Sequence, residues 1–69
     1  MDLENQKMYI IQRKSKRKGS NWRDYMVFNV LSRAQETFYD HVAHPIHHGL
    51  ERNETRLIFR DIQEQLLIQ

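Results

Sequence analysis

Cysteine is absent from this chain, and with it go disulfide staples, thiolate metal sites and cysteine nucleophiles. No apolar run exceeds four residues, far short of the ~20 that a transmembrane helix requires. The opening MDLENQK lacks the apolar stretch of a secretory signal, so a soluble, cytoplasmic protein with no membrane partner is expected. Two glycines leave no room for a glycine-rich phosphate loop, and no G-x-S-x-G is present. Acidic residues are scattered and interleaved with arginine, as in Glu51-Arg52 and Arg60-Asp61, which reads as a solvated face. These absences argue against an enzyme.

The 69 residues suffice for a single small domain, 1–69. A core of that size supplies only about 3–5 kcal/mol, so metal binding or self-association is a natural support once disulfides are excluded.

What is present is unevenly placed. The net charge is only +2, yet Lys7 to Arg23 carries seven basic residues and no acid, whereas residues 24–69 carry four basic and seven acidic ones. The positive charge is local.

Periodicity sets out the elements. Met8-Tyr9-Ile10-Ile11 and Trp22 to Phe28 are β-prone apolar runs, and KSKRKGSN lies between them with Gly19-Ser20-Asn21 as turn residues. The pattern predicts a β-hairpin with a basic tip at 14–21, following a flexible N-terminus at 1–6. Ser32-Arg33-Ala34-Gln35 matches a capping box, and Ala34, Phe38 and Val42 fall on one stripe of a helix from about Arg33 to Ala43. Pro45 and Gly49 then predict a histidine-containing loop over 44–54. Thr55 to Arg60 alternates as a third strand, and the Leu66-Leu67-Ile68 tail suits a fourth strand better than a helix.

The expected architecture is therefore α+β in the order ββαββ. A small antiparallel sheet of three or four strands carries one helix on one face. Strict alternation places Tyr25 and Val27 on one face of the second strand and Met26 and Phe28 on the other. One helix covers one face only, so the second face predicts a homodimer or a protein partner as its cover.

Two stretches carry candidate chemistry. In RKSKRKGSNWR, the cations Arg13, Lys14, Lys16, Arg17, Lys18 and Arg23 are suited to neutralising phosphates, and Trp22 to stacking on unpaired bases. An acidic protein surface satisfies the same charges, and a solvated tip with Trp22 in the core is the plainer alternative. In DHVAHPIHHG, His41 and His44 are three apart at a helix end, and His47 and His48 follow in the loop. Four imidazoles so placed suit zinc or another transition metal, although histidine is also favoured at a helix C-terminus for its charge alone.

Asp40-His41 followed by Pro45 also resembles part of the HNH endonuclease pattern, with Pro45 one position later than in that family. The resemblance implies a His41 general base and Asp40 beside a metal. The run from Gly19 and Trp22 through a helix opened by Ser32 is similar in part to the arm-binding domains of tyrosine recombinases. The element order over most of the chain resembles short phage-encoded ββαβ proteins, which implies a regulator or inhibitor acting in the host cytoplasm.

Overall fold

The computed structural model describes residues 8–44 and 52–69. The expected N-terminal tail 1–6, Pro45, His47, His48 and most of the predicted 44–54 loop lie outside the described residues. The elements run β1 (Met8–Ser15), β2 (Arg23–Phe28), α1 (Leu31–Ala43), β3 (Asn53–Arg60) and β4 (Glu64–Ile68). This is the expected ββαββ order of an α+β fold, with a fourth strand at the tail. All pairings are antiparallel and the sheet order is β2-β1-β3-β4, so two hairpins lie side by side with β1 and β3 at the centre.

α1 lies on one face of the sheet. Ile11 and Leu57, register partners on β1 and β3, meet Ala34 and Phe38 of the helix in the buried core. Tyr9, Tyr25, Met26, Phe28 and Ile68 pack around them.

Several local expectations are corrected. The helix begins at Leu31, and Val30 is its N-cap without a side-chain bond, so Ser32 sits inside the first turn rather than capping it. The buried stripe is Ala34, Phe38 and His41, while Val42 is exposed. At about 100° per residue, position i+7 returns to within about 20° of its start, and i+8 overshoots by about 80°. The register of β1 against β2 passes from Ile11↔Met26 to Gln12↔Asp24, which leaves Tyr25 as an extra residue. That bulge breaks the alternation, so Tyr25, Met26 and Phe28 all serve the helix-side core and Val27 is exposed. The hairpin strands reach Ser15 and resume at Arg23, which places the tip at 16–22 and Lys14 within β1. β3 already starts at Asn53.

The face away from α1 is closed in an unexpected way. Ile10 and Ile58, paired at its centre, are 0% and 2% exposed. Arg60 on β3 bonds Asp24 on β2 through Nη1 and Nη2 at 2.8 and 3.2 Å, so the two side chains pass over the intervening β1. Met8 pairs with Arg60 and Gln12 with Asp24, so the crossing falls at Ile10, midway between them. Apolar surface remains chiefly toward the sheet margins, at Val27 and Leu66.

Candidate nucleic-acid interface

The hairpin tip is an ordered turn. The Arg17 N–H donates to Ser15 Oγ at 3.2 Å, the Ser20 N–H to the Arg17 carbonyl at 3.3 Å, and Gly19 takes φ 87°. Only glycine enters that region without strain, so Gly19 is the residue that lets the chain reverse. The Lys16 N–H reaches the Arg52 carbonyl at 3.1 Å, extending the β1–β3 ladder and bringing Arg52 to the basic end. Sequence reasoning missed Arg52 because it is distant along the chain. The Ser15↔Asn53 register alone places it there.

The predicted cations fall into distinct environments. Lys16, Arg17, Lys18 and Arg23 are exposed. Arg13 lies over the Tyr25 ring at 4.6 Å and faces Arg23 across the ladder. Lys14 is engaged by Glu54 at 3.4 Å and lies 5.3 Å from the Trp22 ring centre. Asp24 and Glu64 are taken by Arg60, whose Nε donates to Glu64 Oε1 at 2.7 Å while its Nη2 reaches the same oxygen. Among the described residues, Arg13, Lys16, Arg17, Lys18, Arg23 and Arg52 have no carboxylate partner.

Trp22 is neither in the helix-side core nor presented bare. It is half-buried on the opposite face, with the Arg56 guanidinium 4.2 Å above its ring. Arg56 also donates through Nε to Gln12 Oε1 at 2.8 Å, and Gln12 Nε2 donates to Asp24 Oδ1 at 2.9 Å. Arg56, Gln12, Asp24, Arg60 and Glu64 thus form one chain of polar contacts over this face. The Arg60 hydrogen bond, followed by that of Gln12, holds the Asp24 carboxyl below its ordinary value, and Asp24 in turn raises the arginine.

Comparison with protein-family models, curated proteins and solved structures finds no match for this chain.

The histidine stretch is divided. His41 is buried within α1, with Nδ1 2.7 Å from the Thr37 carbonyl and its ring edge-on to Tyr25 at 5.6 Å between centroids. His44 is the exposed C-cap, its N–H donating to the Asp40 carbonyl at 3.0 Å. No group of three or more metal-binding side chains occurs among the described residues, and His47 and His48 lie outside them. Asp40 and His41 both sit in the last turns of α1, so the HNH-like pair is on a helix.

Proposed function

We propose that this protein is a small, non-enzymatic nucleic-acid-binding regulator, acting in the cytoplasm, that holds phosphates with the basic end of its sheet. One observation carries the reading. Six cations at the hairpin end lack a carboxylate partner among the described residues, while nearby Glu54 is taken by Lys14 and the acids of the opposite face by Arg60. Cations left without acids neutralise phosphates and release counterions, which makes binding strong at low salt and tolerant of sequence. The ordered turn at Gly19 presents Lys16, Arg17 and Lys18 together, so little backbone ordering entropy is lost on contact. Trp22, with Arg56 over its ring, contributes as a support for cations more than as a base-stacking platform.

The test is fluorescence anisotropy with labelled single- and double-stranded DNA and RNA across a salt series. Neutralisation of about five phosphates gives a log–log slope near −4.5 on duplex DNA. Lys16→Glu/Arg17→Glu/Lys18→Glu is expected to remove most of that slope. A wild-type protein that binds no nucleic acid at moderate salt refutes the reading.

A second reading is favoured by a different observation. Ile62, Leu66 and Leu67 are exposed along the turn and edge strand at the β4 side of the sheet, where backbone groups of an edge are available for pairing. This surface suits a second copy of the chain or a protein target, in the manner of a phage-type inhibitor. Light scattering at micromolar concentration tests the homodimer: a dimer lost in Leu66→Lys supports it, and a monomeric wild type excludes it.

A further inference from the structure

We propose that the cavity beneath the hairpin tip binds a phosphomonoester, and, resting on the nucleic-acid reading above, that this is the terminal phosphate of a strand. The cavity has a volume of about 410 Å³, within the range of small-ligand sites, and is lined by Arg13, Lys14 and Arg23 together with Ser20, Asn21 and Asn53. No carboxylate among the described residues lines it.

The independent sign of an anion is the register. Arg13 and Arg23 are direct partners in the β1/β2 ladder, where like charges placed opposite each other are destabilising. Neither guanidinium has a hydrogen bond or ion pair with a described residue, and Arg13 is held only by the Tyr25 ring. An oxyanion between them turns the repulsion into two charge-assisted contacts. Ser20, Asn21 and Asn53, residues whose side chains carry neutral donors, line the same cavity.

The charge count selects the ligand. A bridging phosphodiester carries one negative charge, whereas a phosphomonoester carries about 1.5 to 2 at neutral pH. With Lys14 already paired to Glu54, the two guanidiniums of the paired Arg13 and Arg23 supply two uncompensated charges, which match the second better than the first. This division of labour leaves the exposed Lys16, Arg17 and Lys18 to contact backbone phosphates without discrimination.

The experiment compares labelled oligonucleotides of one sequence ending in 5′-phosphate, 3′-phosphate or hydroxyl, and measures thermal unfolding with inorganic phosphate against chloride at equal ionic strength. The wild type is expected to prefer one phosphorylated end by about tenfold, as one additional charge-assisted bond dictates. Arg13→Gln/Arg23→Gln is expected to erase that preference while remaining folded. Lys16→Gln/Arg17→Gln/Lys18→Gln weakens all three oligonucleotides and keeps their ratio. Equal affinity for all three ends in the wild type overturns the proposal and leaves nucleic-acid binding standing. If no oligonucleotide binds, the nucleic-acid reading fails by itself. In that case a phosphate-induced rise in melting temperature, absent from Arg13→Gln/Arg23→Gln, supports a site for a free phosphomonoester, and no rise overturns the site.

Discussion

Asp24 shows how much one side chain organises here. It receives Gln12 and Arg60 together, linking β2 to β3 over Ile10, and its carboxyl is held below its ordinary value of 3.8. The sign of the pH effect follows. A carboxyl lowered in the folded state stabilises the fold fully above its ordinary value, and that contribution is lost as pH falls through the lower folded value. Asp24→Asn is expected to cost about 0.5–1 kcal/mol at neutral pH, the range of solvent-screened ion pairs, because the pair is partly exposed. Urea unfolding of wild type and variant from about pH 7 to about pH 2 checks this, with the difference closing at the acid end. At Arg23 the expectation is reversed. Arg23→Gln removes a like-charge pair and is expected to stabilise the ligand-free protein by a few tenths of a kcal/mol in the same assay.

At the scale of elements, the helix illustrates what a period can and cannot decide. The 3.6-residue repeat marks Ala34 and Phe38 as core and, counted strictly, favours His41 at i+7 over Val42 at i+8, but that a histidine is accommodated there is shown only by its contacts with the Thr37 carbonyl and the Tyr25 ring. Phe38→Ala is expected to destabilise by about 3–5 kcal/mol, enough to unfold most of a domain this small, whereas Val42→Ala stays within about 0.5 kcal/mol. Chemical denaturation separates the two directly. The N-terminus gives a second comparison. Val30 caps α1 with extended backbone and no side-chain acceptor, so Val30→Asp is expected to add about 1 kcal/mol, while Ser32→Ala is nearly neutral because Ser32 is already helical. The bulge at Tyr25 was not legible beforehand. A strand's alternation is read from the sequence on the assumption of an unbroken ladder, and an extra residue is decided by the partner strand.

For the whole molecule, the distribution of charge matters more than its sum. Acids and cations of the sheet pair with one another over the face away from the helix, and the surplus of positive charge collects at the hairpin end. The charge also explains how one sheet with one helix closes both faces. Ile10 and Ile58 are shielded under Arg60 and Asp24, which supply a roof that an apolar pattern alone would assign to a partner. Arg60→Ala is accordingly expected to expose this apolar centre and to increase binding of a hydrophobic dye, with a stability loss larger than that of Asp24→Asn. Dye fluorescence and urea unfolding measure both effects.

The local pattern of residues by itself determined the order of elements and the presence of a basic tip on the first hairpin, because periodicity, turn chemistry and charge runs are properties of neighbours along the chain. Tertiary structure decided the rest. It alone brings Arg52 beside Lys16, sets Arg13 opposite Arg23, lays Arg56 on Trp22 and carries Arg60 to Asp24. The Arg13–Arg23 pairing follows from the register of the β1/β2 hairpin, and the other three join segments far apart in sequence that meet only when the long-range pairing of β1 with β3 has formed.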